Sequence, residues 1–402
     1  MKKNILFGVT GSIAAYKVLE LIRSIKKHDV RYDVKIILSE SAKQFVTPLS
    51  VETISLNKVY DDTFDYTENP MEHIELAKWS DIFIIIPATA NIIGKLANGV
   101  ADDLLTNTVL ASDKPITVVP AMNMYMWKNP AVQENVRKLK NYGYDILGPA
   151  SGIQACGDEG PGRMVEVKEA FDYILLKLYK DARYQNLRIT ITAGPTIEKI
   201  DPVRYISNHS SGKMGYALAK SFARLGCTVN LISGKTCLEQ PVGVNYMQGD
   251  SAEKMFECVK SALPETDIFI AAAAVSDYKI KEYCNKKIKK KSDEIEFQLA
   301  KTVDILSHVS LSEKPPFCVG FAAETNDIHV NASKKFDKKK LDMLFLNEVN
   351  AETGFPFYAD NNLIWVYQKG ESPHQLPQES KEDLANKMKE MIIDLYCEKH
   401  HA

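Results

Sequence analysis

A chain of 402 residues, 45% hydrophobic and 25% charged, has the make-up of an ordinary globular protein long enough for two domains. Its formal net charge of -2 gives no global pull toward nucleic acid or anionic membrane. Seven scattered cysteines, odd in number and never in a Cys-x-x-Cys pair, argue against a disulfide frame or zinc site and for reduced thiols in a cytosol.

The opening Met1-Lys2-Lys3 and the apolar Ile5, Leu6 and Phe7 imitate a signal peptide. The run stops at Gly8 before a polar turn with no small-residue cleavage site, so a soluble chain is expected. Residues 5–9 read as a buried strand, turned by Gly11-Ser12 into a helix whose Ala14, Val18, Leu21, Ile22 and Ile25 share one face. Residues 34–38, 82–86 and 116–119 read as further strands, each followed by a polar or Gly/Pro break and then a helical pattern. Strands without alternation, separated by helices, predict a parallel sheet covered on both faces, with ligands beyond its carboxyl edge. That edge comprises Thr10-Gly11-Ser12, Ser39, Pro87-Ala88-Thr89-Ala90-Asn91 and Pro120-Ala121-Met122-Asn123, which are polar, uncharged and suited to a neutral ring system. His73 lies on a short predicted helix before the third strand. Residues 151–164, Gly-rich and without periodicity, read as a mobile flap with Cys156 near its middle. A helix at 167–179 and a polar stretch at 181–186 separate the halves.

The second half restarts with a strand at 188–192, a Gly194-Pro195 turn, an irregular loop and Ser210-Ser211-Gly212-Lys213-Met214-Gly215 opening an amphipathic helix. Unpaired N–H groups and a dipole of about half a positive charge at such a start suit a phosphate. The stretch is not a Walker A loop, because Ser207 stands where the first Gly is needed and Met214 where Ser or Thr is. The pattern alone leaves an ordinary strand–helix turn and a phosphate cradle both open. Strands at 228–232 and 267–271 follow, the latter running into Ala272-Ala273-Ala274-Val275-Ser276-Asp277. Lysines crowd 279–291 and again 334–340, and read either as solvated loops or as movable charges that close over a triphosphate. Glu282 and Asp293-Glu294 interrupt the first run, which weakens a nucleic-acid reading. Strands at 317–321, 343–346 and 363–367 and a closing helix from Lys381 complete the chain. On spacing alone, His73, Cys156 and Asn123 fit a satisfied histidine, a bystander thiol and a loop polar group as well as they fit a site.

Particular blocks carry more than spacing. Gly11-Ser12-Ile13-Ala14-Ala15-Tyr16-Lys17, Pro87-Ala88-Thr89-Ala90-Asn91, Pro120-Ala121-Met122-Asn123 and Ala155-Cys156-Gly157-Asp158 with Gly162-Arg163-Met164 resemble the flavin-dependent cysteine decarboxylase family. Ile206-Ser207-Asn208-His209-Ser210-Ser211-Gly212, Ala274-Val275-Ser276-Asp277-Tyr278, Lys287-Ile288-Lys289-Lys290 and Gly320-Phe321-Ala322-Ala323-Glu324-Thr325 resemble phosphopantothenate–cysteine ligases. Joined in this order, over nearly the whole chain, they are similar to the bacterial bifunctional coenzyme A biosynthesis proteins. The resemblance implies a cytoplasmic α/β enzyme of two Rossmann-like doubly wound domains. These are a flavodoxin-like FMN domain at 1–182 and a CTP-dependent ligase domain at 187–402.

The roles it implies are specific. Gly11, Ser12, Ser39, Thr89, Asn91 and Ala121 would contact FMN, with Thr89 standing where relatives often carry Ser or Asp. Oxidising the substrate's CH₂–SH end to a thioaldehyde would provide the electron sink that decarboxylation needs. His73 would be the base of that step, Asn123 would hold the carboxylate, and Cys156 would serve the final protonation of the enethiol. In the ligase half Asn208 would bind the acyl-cytidylate and Ser210, Gly212 and Gly215 the phosphates. Asp277 would read the cytosine amino group, Phe321 would pack near the nucleotide, and Lys287, Lys335 and Lys339 would neutralise the triphosphate together with Mg²⁺. Lys287 is chosen by alignment within the 286–291 run, and no metal ligand is assigned. The implied partners are small-molecule substrates, with no nucleic acid and no membrane. The implied assembly has a trimeric decarboxylase core and paired ligase halves, which together would build a closed oligomer such as a dodecamer. The alternatives are a ligase with a degenerate flavoprotein half, against which the intact His73, Asn123 and Cys156 speak, and a nucleotide-sensing module that binds nucleic acid.

Overall fold

The structure is a computed structural model that describes residues 2–28, 32–62, 71–289, 295–349 and 359–401, and the chain divides into two compact units, Met1–Leu178 and Tyr179–Ala402. In the first unit β1 (Lys3–Val9), β2 (Tyr32–Leu38), β3 (Val59–Tyr60), β4 (Ile82–Ala88), β5 (Ile116–Pro120) and β6 (Asp145–Ile146) form one parallel sheet in the order β3-β2-β1-β4-β5-β6. Ile5, Phe7 and Val9 face one core with Val18, Leu21, Ile22 and Ile25 of the helix Tyr16–His28. Leu6, Phe83 and Ile85 face the other, under the helices Ala90–Ala97 and Leu104–Leu110. Two covered faces are why the strands read as continuous apolar runs. Without its short edge strand β3 the order is that of a flavodoxin-like sheet, and the winding reverses between β1 and β4, where such sheets bind ligands.

The segment expected to be an irregular flap is a two-stranded antiparallel ribbon, β7 (Ala150–Ile153) with β8 (Glu159–Arg163). Its glycines conceal it in the sequence. Gly162 has φ 138, and a Cβ there would collide with the Met122 carbonyl, so the ribbon can lie directly on the chain end after β5. The Met122 N–H donates to the Gly162 carbonyl at 2.8 Å, which fixes that contact.

In the second unit β9 (Arg188–Ala193), β10 (Thr228–Ser233), β11 (Val244–Gln248), β12 (Ile268–Ala271), β13 (Phe317–Glu324), β14 (Met343–Glu348), β15 (Ile364–Gln368) and β16 (His374–Gln375) form a second sheet. Its order is β11-β10-β9-β12-β13-β14-β15-β16, parallel as far as β14 and antiparallel beyond. The winding reverses between β9 and β12. Part of the loop expected after β9 is also a ribbon, Ile197–Lys199 paired with Tyr205–Ser207. The second lysine cluster is likewise not a loop: it is the end of the helix Ile328–Lys338, anchored by the buried Ala332. Among the described residues no helix is long and apolar enough to cross a membrane.

Candidate functional sites

Beyond the carboxyl ends of β1, β4 and β5 lies a cleft of ≈ 520 Å³. Gly11, Ser12, Thr89 and Ala121 line it, together with Asn123 and Cys156, whereas Ser39, Asn91 and His73 do not. The two strand ends are tied together: the Thr10 hydroxyl donates to the Pro87 carbonyl at 2.7 Å and accepts from the Thr89 N–H at 3.2 Å. Thr89 caps the next helix, its hydroxyl accepting from the Ile92 N–H at 3.4 Å. A Cβ on Gly11 would stand 2.5 Å from Ser41 Cβ, so only glycine lets the two loops close here. The Ser39 hydroxyl oxygen is buried without a hydrogen-bond partner. It lies outside the lining of this cleft. Mostly apolar walls, with the Lys17 and Arg163 charges both paired to Glu166 at 3.0 and 3.1 Å, fit a flavin.

The ribbon brings Asn123 and Cys156 together. The Asn123 side-chain amide donates toward Gln154 Oε1 at 3.2 Å, Asp158 Oδ2 at 3.1 Å and Cys156 Sγ at 3.3 Å. The Cys156 thiol donates to the same Asp158 oxygen at 3.4 Å. Gln154 Oε1 also accepts from the Met124 N–H at 3.0 Å, pinning the ribbon to the helix that Asn123 caps. Gln154 and Asp158 escaped the sequence reading. Asp158 stood in the Ala155-Cys156-Gly157-Asp158 block without a role, and Gln154 carried no signal, because both lie in the turn between β7 and β8 where strand alternation does not apply. Asp158 thus places a carboxylate on the very amide expected to hold the substrate's carboxylate. His73 is half-buried on the helix Glu72–Trp79, apart from this cluster in the cleft lining.

The second unit carries two adjoining clefts at its own switch point. The smaller, ≈ 130 Å³, is lined by Ser210, Gly212 and Gly215 and also by Asn362 and Lys381. The larger, ≈ 450 Å³, is lined by Asp277, Asp304, Lys335 and Lys339, and Phe321 borders both. Gly212 precedes the helix Lys213–Leu225 at φ 78, a left-handed conformation that costs glycine little. Its N–H donates to the Ser210 hydroxyl at 3.2 Å.

Lys335 donates to the Phe321 carbonyl at 2.7 Å, and burial followed by the nearby Lys339 charge lowers its pKa from the usual lysine value. Lys339 bonds both carboxylate oxygens of Asp304 at 2.7 Å. Burial works against the charged form of Asp304, but the Lys339 bond and the Ser307 N–H still hold its pKa low. The Asn208 amide donates to the Val275 carbonyl at 3.0 Å, at the rim of the larger cleft. Lys287 is exposed and lines neither cleft, while the Ile288 N–H beside it donates to the buried Asp201 at 3.1 Å. Lys290 and Lys291 lie outside the described residues. Among the described residues no group of three or more His, Cys, Asp or Glu could hold a metal ion.

Comparisons with known proteins agree with this division. Residues 1–179 match the family model described as Flavoprotein, and residues 184–396 the one described as DNA/pantothenate metabolism flavoprotein C-terminal domain. The Coenzyme A biosynthesis bifunctional protein CoaBC of Vibrio vulnificus is 46% identical over 398 residues, covering 98% of each chain. That of Escherichia coli K12 is 42% identical, covering 99% of this chain and 98% of its own. Among solved structures, the C-terminal domain of a CoaBC protein aligns with 54% of this chain and 98% of its own at 36% identity and TM-score 0.45. A PPC decarboxylase complexed with pantothenoylaminoethenethiol aligns with 44% of this chain and 98% of its own at 31% identity and TM-score 0.39. With two clefts on two sheets, and 46% and 42% identity to the Vibrio vulnificus and Escherichia coli proteins over 98% and 99% of its length, the chain belongs to the family of bifunctional enzymes of coenzyme A biosynthesis.

Proposed function

We propose that residues 187–402 join cysteine to 4'-phosphopantothenate at the expense of CTP, through an acyl-cytidylate. Residues 1–182 then decarboxylate the product, 4'-phosphopantothenoylcysteine, to 4'-phosphopantetheine with FMN. The carrying observation is the pair of clefts: one mostly apolar, bordered by a ribbon that joins Asn123 to Cys156, the other lined by Lys335, Lys339 and the Asp277 carboxylate.

Bound FMN supplies a reversible two-electron acceptor, which allows a decarboxylation with no net redox change. The remaining work falls to the chain. The Asn123 amide takes the substrate carboxylate in place of Asp158, His73 accepts a proton, and Cys156 returns one to the product side. The ribbon keeps water out. In the other unit Asp277 accepts from the cytosine amino group, Ser210, Gly212 and Gly215 hold phosphates, and Lys335 and Lys339 spread the negative charge. Lys287 joins them from its exposed loop. Mg²⁺ arrives with CTP as part of the substrate. Ile13, Tyr16, Met126 and Ile153 line the first cleft yet are 62%, 57%, 49% and 68% exposed, an apolar rim that fits cover by a second copy in a trimeric core. Such a neighbour would also carry His73 to the cleft. The seven free thiols suit the cytosol.

The absorbance spectrum of purified protein tests the first half: a flavin spectrum with FMN released on extraction is expected. Colourless protein that takes up no added FMN would overturn it. Gly162→Ala is expected to lift the ribbon off Met122 and slow decarboxylation by about tenfold or more, given roughly 1–3 kcal/mol of local strain. Ligation assayed in the same sample should be unchanged. Asp277→Asn, which replaces a pure acceptor by a mixed donor and acceptor, should narrow the preference for CTP over UTP by about 1–3 kcal/mol. Comparing kcat/KM for the two nucleotides measures it.

A further inference from the structure

The smaller cleft of the second unit holds a cation that the sequence reading passed over. Lys381 opens the closing helix Lys381–His401, is only 7% exposed, and lines the cleft beside Ser210, Gly212 and Gly215. The closing helix packs along Lys213–Leu225, and the two run parallel. Lys213 lies beside Lys381 at one end, and the Ser221 hydroxyl donates to Asn386 Oδ1 at 2.8 Å midway. Lys389 faces Cys227 at the far end. Two lysines at the first positions of two helices therefore converge on one small cavity, whose floor is polar: Asn362, 2% exposed, donates to Asn347 Oδ1 at 2.7 Å.

Crowding cations inside a cleft is unfavourable unless an anion joins them. The Lys381 ammonium donates to the Ala359 carbonyl at 2.6 Å, and the neighbouring Asp360 carboxylate accepts from Lys213 at 2.6 Å. Asp360 is otherwise exposed, its side chain at 86%, so it reaches the lysines from the solvent side as a loosely held surrogate anion. Burial first, and then the Lys213 charge, push the Lys381 pKa down to about 8. Among the described residues, the other charges near this helix start have partners of their own: Glu382 with Lys220 at 3.9 Å, Glu379 with Lys387 at 2.6 Å, and Asp383 with the Ser380 hydroxyl at 2.6 Å.

We propose that Lys381, together with Lys213, contacts a phosphate group of the nucleoside triphosphate, which displaces Asp360 from between them. This rests on the reading of the second unit as a CTP site. Near pH 8.5 a good share of Lys381 is neutral in the free protein, whereas a terminal phosphate, with its second pKa of about 6, is already ionised. An arriving phosphate then favours the ammonium, and binding draws a proton from solution.

The test is calorimetric titration of CTP into the full-length protein at pH 8.5, in two buffers of different ionisation enthalpy. Lys381→Gln is expected to weaken CTP binding roughly tenfold or more, the effect of losing one charge-assisted hydrogen bond. Lys381→Arg should bind nearly as well as the parent with smaller proton uptake, and Asp360→Asn should bind more tightly. If the parent itself binds no CTP, the nucleotide reading of the second unit fails. If the parent binds CTP but Lys381→Arg takes up as many protons, Lys381 does not meet a phosphate. Should Lys381→Gln unfold, the Arg variant and Asp360→Asn still decide. Unchanged uptake and unchanged affinity in that pair overturn the proposal.

Discussion

His73→Asn is expected to abolish decarboxylation while leaving ligation intact, so that 4'-phosphopantothenoylcysteine accumulates. General-base steps contribute about 10²- to 10⁴-fold, and an asparagine can hydrogen-bond in place of the imidazole but cannot take the proton. The side chain sits half-buried on the helix Glu72–Trp79, away from the sheet's core, so the substitution should change stability by no more than about 0.5 kcal/mol. Liquid chromatography of the reaction mixture over time measures both steps together. Because His73 does not line the cleft of its own chain, mixing this variant with Cys156→Ser should restore part of the activity through subunits that pair one intact His73 with one intact Cys156. A variant that keeps more than a tenth of the decarboxylation would remove His73 from the base role.

Asn208→Asp is expected to fail one reaction earlier. The amide donates to the Val275 carbonyl at 3.0 Å at the edge of the larger cleft, where it can also meet the acyl oxygen of an activated substrate. A carboxylate there donates nothing, is repelled by that carbonyl, and opposes the charge that builds on the oxygen under amine attack. Loss of one such donor costs about 10²- to 10³-fold. The cytidylate should build up with labelled CTP, while added 4'-phosphopantothenoylcysteine is still decarboxylated at the parental rate. If the two variants block the same step, the division of labour between the units is wrong.

The central strands were legible because burial on both faces writes itself as unbroken apolar runs, as in Ile82 to Ile86 within β4. The closing helix begins at Lys381 and the linking helix spans Val167–Tyr179, as their patterns indicated. The short strands β3 and β6, two residues each, were not, since their strand character comes from pairing with a neighbour. The ribbon was hidden by glycines that are there to let it lie against Met122.

The sites followed the same rule. The carboxyl-edge residues Gly11, Ser12, Thr89 and Ala121 could be placed from topology, and they do share a cleft. The meeting of Asn123 with Cys156 depends on a hairpin that no local spacing encodes. Their chemical roles came only from resemblance. Lys335 looked like part of a solvated run, yet its helix turns it inward onto the Phe321 carbonyl, whereas Lys287, in the other run, stays exposed.

The most direct measurement of the whole account is the release of labelled CO₂ from carboxyl-labelled cysteine by the purified protein. Release is predicted only when cysteine, 4'-phosphopantothenate and CTP are all present, and to stop when any one is withheld. Release without CTP, or none with all three and FMN supplied, would contradict it.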